Sequence, residues 1–290
     1  MRVKFWGTRG SIPTPGPDTV VHGGNTSCVG INLGAAGRLI LDAGSGIRKL
    51  GLSIAGEART DATLLLTHVH WDHIQGFPFF IPAYKDSTTL DVFGLEVAHR
   101  KIERLLSDQM EQVYFPVDLR SLRANMRFHD FDIDGFECRG AKVSLVRANH
   151  TTETVAFKIE HQGRSVVFMP DNEIAHCGLE GKTTYADFVR FCSGVDLLIH
   201  DAQYASATYH KFKGWGHSTF EEALNLGIDA GVKRVALFHH DPLSSDAELE
   251  RRVAWCKEHV RERGASVEVE CAREEVEHDL SAEPAPAATK

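Results

Sequence analysis

Hydrophobic and polar positions along the chain alternate between short apolar runs and polar turns that close them. Gly37 to Leu41 runs into Asp42-Ala43-Gly44-Ser45-Gly46, Thr63 to Thr67 into His68, and Ala141 to Ala148 into Asn149-His150. Ser165 to Met169 runs into Pro170-Asp171, Asp196 to Ile199 into His200-Asp201, and Val235 to Phe238 into His239-His240. Runs this short read as strands, and in open α/β sheets the loops beyond the carboxyl ends of strands converge on one site. The pattern therefore predicts an α/β protein that gathers His and Asp side chains along one sheet edge.

Helix signals lie between the strands. Ser218-Thr219-Phe220-Glu221 reads as a capping box opening a helix to about Ala230 and Gly231. Ser245-Asp246-Ala247-Glu248 opens another, which Gly264 can close. A third stretch runs from about Leu95 to Gln112, ahead of Tyr114-Phe115-Pro116-Val117, where Pro116 stops continuation. The expected organisation is a single domain over 1–280, in two halves with a break near 130–140. The Pro- and Ala-containing tail, 281–290, is expected to be disordered.

Composition changes this picture little. The 290 residues are 42% hydrophobic and 25% charged, ordinary for a globular enzyme. A net charge of −8 gives no general attraction for phosphate backbones, which argues against an extended nucleic-acid partner. The six cysteines are scattered and unpaired in spacing, so they read as small buried hydrophobes in a reducing compartment. With no signal-like start and no apolar stretch of about 20 residues, the expectation is a soluble cytoplasmic protein without membrane contact.

The chemistry concentrates at His68-Val69-His70-Trp71-Asp72-His73, four ligand-type side chains in six residues directly after an apolar strand. Two cations sharing a hydroxide need imidazole nitrogens and carboxylate oxygens from opposite sides, and a tight turn can split its ligands this way. A polar loop whose histidines bond to backbone is the bland alternative. It does not account for His150, Asp171 and His239 following at later strand ends.

This string, the Leu41-Asp42-Ala43-Gly44 segment and the later His, Asp and His resemble the metallo-β-lactamase superfamily over about Phe5 to Pro242. The resemblance implies an αβ/βα four-layer sandwich: two mixed β-sheets flanked by helices. It implies that His68, His70 and His150 bind one ion, that Asp72, His73 and His239 bind a second, and that Asp171 bridges both. Asp42 resembles the aspartate that orients the loop ligands. The implied cofactor is two divalent ions, zinc suiting the His/Asp set and manganese or iron also accommodated. Two divalent cations, two carboxylates and a hydroxide would leave the site about one unit positive, suited to an anionic substrate. His240 competes with His239 for the last ligand position, and strand register and family spacing favour His239.

Gly216-His217-Ser218-Thr219-Phe220-Glu221-Glu222-Ala223 is similar to the histidine-bearing helix start of ribonuclease Z and its small phosphodiesterase relatives. His200-Asp201-Ala202 resembles the segment whose acid pairs with that histidine. The resemblance makes His217 the proton donor and Asp201 its partner, with Asp72 also counted among the catalytic residues. His217 as mere packing before a helix cap is the alternative. No long basic Gly/Pro-rich arm stands out, so the expected substrate is a small phosphodiester, foremost a cyclic nucleotide, cleaved by metal-bound hydroxide. An RNA-processing nuclease is the alternative, followed by a thioesterase or lactonase. Tyr114, Phe115 and Trp215 are candidates for base stacking, and His22 or Asn25 could reach substrate. The resemblance further implies a homodimer.

Overall fold

The computed structural model describes residues 1–131, 134–176 and 179–281, so the tail expected at 281–290, apart from Ser281, and Cys177 lie outside the described residues. The first half of the chain supplies β1 (Arg2–Gly7), β2 (Cys28–Asn32), β3 (Arg38–Leu41), β4 (Thr60–Leu65), β5 (Thr88–Gly94) and β6 (Asn125–Asp130). The second supplies β7 (Phe136–Cys138), β8 (Ala141–Arg147), β9 (Val155–His161), β10 (Arg164–Met169), β11 (Leu197–Asp201), β12 (Arg234–Phe238) and β13 (Glu268–Cys271). A last strand, β14 (Glu277–Asp279), returns to pair antiparallel with β1.

Two seven-stranded sheets result, ordered β14-β1-β2-β3-β4-β5-β6 and β13-β12-β11-β10-β9-β8-β7. Each is antiparallel on one side and parallel on the other, the change falling at β3 in one and β10 in the other. The pleat explains why these strands read as continuous apolar runs. Leu39, Leu41 and Leu65 meet Phe157, Phe168, Ile199 and Phe238 between the sheets. The alternate residues Ile40, Ala62 and Leu64 pack outward with Ile47 and Leu50 of helix α1 (Ile47–Ile54). A strand covered on both faces needs apolar residues at every position rather than every second one. Full burial of each such side chain contributes roughly 1.5–3 kcal/mol.

Six further helices complete the order: α2 (Trp71–Ile74), α3 (Ile102–Asp108), α4 (Tyr185–Cys192), α5 (Ser206–Tyr209), α6 (Phe220–Asp229) and α7 (Asp246–Glu262). Val235 and Leu237 of β12 pack outward against Leu224 and Leu226 of α6 and Leu249 and Cys256 of α7. The helix–sheet–sheet–helix layering is the four-layer sandwich expected, with two mixed sheets between helices.

Local boundaries differ in two places. The cap of α6 is Thr219 rather than Ser218, with Glu222 closing a reciprocal capping box. Ser218 is diverted: its hydroxyl donates to the Asn172 carbonyl and accepts from the Ile174 amide at 3.0 Å. The helix expected over Leu95 to Gln112 is only α3. Ala98 and His99 take positive φ values, and Val97 and Arg100 exchange backbone hydrogen bonds around them, so this turn uses the groups a helix would need. No helix among the described residues is long and apolar enough to cross a membrane.

Candidate metal centre

Four strands, β4, β8, β10 and β12, deliver the ligand-type residues that follow them to one edge. The turn after β4 carries His68 and leads into the short α2, whose first residues are Trp71, Asp72 and His73. His150 follows β8, Asp171 follows β10 and His239 follows β12. Ligand-type atoms within 4.8 Å of one another form three sets: His68, His70, His150 and Asp171; Asp72, His73 and His239; and Asp171, His217 and His239.

Asp171 stands between the first two sets. Its Oδ2 lies 3.7 Å from His68 Nε2 and 3.6 Å from His150 Nε2, while its Oδ1 lies 3.1 Å from His73 Nε2 and 3.4 Å from His239 Nε2. His70 turns Nδ1 inward, 3.1 Å from His150 Nε2, and Asp72 Oδ2 lies 3.1 Å from His239 Nε2.

The remaining ring nitrogens are held from behind. Asp42 accepts from His73 Nδ1 at 2.7 Å and from the Thr67 amide at 2.8 Å. His68 Nδ1 meets Thr67 Oγ1 at 3.0 Å, His150 Nδ1 donates to the Gly216 carbonyl at 2.8 Å, and His239 Nδ1 donates to Gln203 Oε1 at 2.9 Å. Fixing one ring nitrogen sets the tautomer and aims the other.

These contacts leave buried polar atoms unsatisfied. His68 Nε2, His73 Nε2 and Asp171 Oδ1 have no hydrogen-bond partner, although each is fully enclosed. Unpaired polar atoms are costly in a protein interior, and their convergence is what divalent cations would relieve. The donor set, imidazole nitrogen plus carboxylate oxygen, fits such ions.

Electrostatics agrees with that fit at His68, His70 and His150 and differs at His73, whose proton a cation would have to displace. Burial pushes His68 and His70 below the usual histidine range and takes His150 to about 4, so these rings are neutral with a lone pair to offer. Burial also works against charge on His73, but Asp171, Asp72 and Asp42 around it outweigh that and raise it well above the usual range. For Asp171 and Asp72 burial favours protonation, yet the surrounding imidazoles hold both carboxyls well below their usual range.

Two glycines make room for this packing. A Cβ on Gly10 would lie 2.4 Å from His239 Nδ1, and one on Gly216, at φ +89°, would lie 2.3 Å from His150 Nδ1. Ser11, just beyond Gly10, donates its amide to Asp72 Oδ2 at 2.8 Å.

His217 lies beside the cluster, its ring stacked on His239 at 4.9 Å, and with Ser11, Trp71 and Asp72 it lines a cavity of about 470 Å³. Its Nδ1 donates to Asp201 Oδ2 at 2.8 Å. The same carboxylate accepts the Asn172 amide at 3.0 Å and the Gln203 amide at 3.1 Å, so Asp201 is fixed at three points. Burial would lower the His217 pKa, but the Asp201 charge and hydrogen bond, then Asp171 and Asp72, raise it to about 9.

Other sequence candidates sit elsewhere. His240 points away from the cavity: Nε2 donates to the Ala272 carbonyl at 2.8 Å and the ring packs on His22. His22 bonds Asp246 and Asn25 bonds Glu274 and Ser45, so both tie loops together rather than facing the cavity. His200 is buried behind Asp201, bonded to the Asp201 carbonyl. The five described cysteines are free.

One residue had gone unnoticed. Glu173 is fully buried and accepts the Gly214 and Gly216 amides at 2.7 Å each, together with the Tyr209 hydroxyl. It clamps the loop that carries His217 and the carbonyl orienting His150. Its only sequence signal is a carboxylate two residues past Asp171, which does not distinguish a clamp from a surface acid.

Residues 37–240 match the family model described as a beta-lactamase superfamily domain. Among curated proteins, the chain is 22% identical to a ribonuclease Z of Picrophilus torridus over 284 residues, covering 86% of this chain and 88% of that protein. Among solved structures it is similar to the metallo-beta-lactamase fold protein YhfI from Bacillus subtilis, with a TM-score of 0.69 and 18% identity over 96% of this chain and 98% of that one. A diphosphatase of the PhnP family gives a TM-score of 0.67 at 17% identity, covering 96% and 97% of the two chains. The family match spans most of the chain and includes every residue from Asp42 to His240 that builds the cluster, so the chain belongs to the beta-lactamase superfamily as a metal-dependent hydrolase.

Proposed function

We propose that this hydrolase cleaves phosphodiester bonds of ribonucleotides, with His217 as proton donor and Asp201 as the partner that keeps it charged. The observation carrying this reading is the Asp201–His217 hydrogen bond of 2.8 Å, set directly against the Asp171 and His239 side of the cluster. A thioester, whose thiolate departs without protonation, has no comparable need for a proton donor beside the leaving group.

In this reading His68, His70, His150, Asp72, His73, His239 and Asp171 would hold two divalent ions, and zinc is the ion that suits the set best. Two such ions, when bound, supply charge neutralisation for the substrate and an activated water at neutral pH. The residues do the rest. Asp42, Gln203 and the Gly216 carbonyl keep the rings aimed inward. Asp72 is held at the cavity wall by the Ser11 amide. His217 is held at Nδ1 by Asp201, which leaves Nε2–H to protonate the departing oxygen.

On substrate size, the relatives named ribonuclease Z support an RNA phosphodiester over the cyclic nucleotide suggested by the sequence. The short-substrate reading keeps one observation, the net charge of −8. Protein loaded in turn with zinc and manganese should be assayed on precursor tRNA, a dinucleotide, cyclic nucleotides, a thioester and a lactone. Turnover of the phosphodiesters alone is expected. Turnover of the thioester or lactone with all phosphodiesters left intact would overturn the reading.

A further inference from the structure

A second cavity of about 610 Å³ adjoins the metal centre, and Val69 and Trp71 line both. Aromatic rings share its walls with aliphatic side chains and the Arg100–Asp108 ion pair. Trp71 projects from between the ligand-type residues His70 and Asp72 and is 80% exposed; Tyr114 is 77% exposed. Phe79 and Phe115 pack edge to face at 5.4 Å in the same lining. Among the described residues neither Trp71 nor Tyr114 has a ring partner, so two aromatic faces are open to a flat guest. The lining also holds two buried polar atoms without a hydrogen-bond partner, Gln109 Nε2 and Asp108 Oδ1, of which Asp108 faces Arg100 and Arg104 in ion pairs while the Gln109 amide has no such neighbour.

Resting on the phosphodiester reading above, we infer that this cleft is a nucleobase subsite, which takes the base of the nucleotide next to the scissile phosphate. A base offers π faces to Trp71 and Tyr114 and edge acceptors, ring nitrogen or carbonyl, to the Gln109 amide. An apolar side chain from a second copy of this protein would cover the rings but leave that amide unpaired in a dry cleft. The shared lining at Val69 and Trp71 joins the base position to the cavity where the phosphate would lie, which a purely structural aromatic patch would not require.

Calorimetric titration of the zinc-loaded protein with adenosine 5′-monophosphate and with ribose 5-phosphate tests this. The base-bearing probe is expected to bind about tenfold tighter or more, as stacking on aromatic faces allows. Tyr114→Ala, at a position exposed enough to leave folding intact, is expected to bring the two affinities to within about threefold. Gln109→Leu is expected to reduce the difference without removing it. Equal affinities for the two probes in the wild-type protein, or a difference that Tyr114→Ala leaves in place, would overturn the subsite. So would sedimentation showing a dimer that Tyr114→Ala dissociates while the base confers no affinity, since a second copy then fills the cleft. Base preference in binding without hydrolysis of any phosphodiester would sink the proposed reaction and keep the subsite. Hydrolysis without base preference would do the reverse.

Discussion

Burial alone would leave His217 neutral, yet Asp201 and, behind it, Asp171 and Asp72 hold its pKa at about 9. Asp171 and Asp72 would share their charge with bound cations, so Asp201 is the cause that would persist in a metal-loaded protein. A donor with a raised pKa is charged below that value and loses its proton above it. Turnover of a substrate with an alkoxide leaving group is therefore expected to fall as pH rises through the His217 pKa, which Asp201 holds above the usual histidine range. In Asp201→Asn that fall should move to lower pH, with a loss of about a hundredfold in kcat. A nitrophenyl phosphodiester, whose leaving group needs little protonation, should lose far less; equal losses on both substrates would remove His217 as donor. Glu173→Gln probes the clamp. It sets an amide N–H against a glycine N–H in a buried position, costing roughly 1–3 kcal/mol. The expected outcome is a lower denaturation midpoint together with the same leaving-group signature as Asp201→Asn, because the loop it frees carries His217.

Helix α6 and the turn after β1 show how elements hold side chains they do not contain. Thr219 caps α6 two residues after His217, so Thr219→Ala is expected to lower unfolding stability by about 1 kcal/mol in denaturant titration. Ser218→Ala acts differently, since Ser218 ties the helix start to the Asp171 loop through Asn172 and Ile174. The turn after β1 lies far from the cluster in sequence, yet Gly10 packs on His239 and Ser11 on Asp72. Gly10→Ala, with its Cβ at 2.4 Å from the His239 ring, is expected to lower zinc uptake relative to the unsubstituted protein, read by elemental analysis.

Across the whole molecule, seven ligand-type residues from four strand ends are held together although several of their buried atoms are unpaired. Cations that bind only the folded state stabilise it by mass action, about 2.7 kcal/mol at a hundredfold excess over Kd. Chelation is therefore expected to lower the melting midpoint by several degrees and zinc to restore it; an unchanged midpoint would speak against occupancy. The net charge of −8 makes a second whole-molecule measurement decisive for substrate size. Cleavage of precursor tRNA should weaken steeply between 50 and 200 mM salt if many phosphates are gripped, whereas a dinucleotide should respond weakly.

The string from His68 to His73, the later ligand-type residues and the apolar runs before them were legible in the chain itself. Covalent spacing keeps four of these side chains together, and strands buried on both faces leave a continuous apolar signature. That signature pointed to an α/β protein, and the sandwich class came from the resemblance of the ligand-type residues to the metallo-β-lactamase superfamily. Cap position and helix length were not legible, because Ser218 and the turn at Ala98 and His99 answer to partners distant in sequence or to φ values that composition does not show. Which of His239 and His240 faces the cavity depended on how β12 packs between β11 and β13, with His240 drawn to the Ala272 carbonyl. The Glu173 clamp and the open rings of Trp71 and Tyr114 arise from loops meeting across the fold. No local pattern encodes such meetings: a contact between residues far apart in the chain exists only once the sheets have stacked and brought those loops to the same edge.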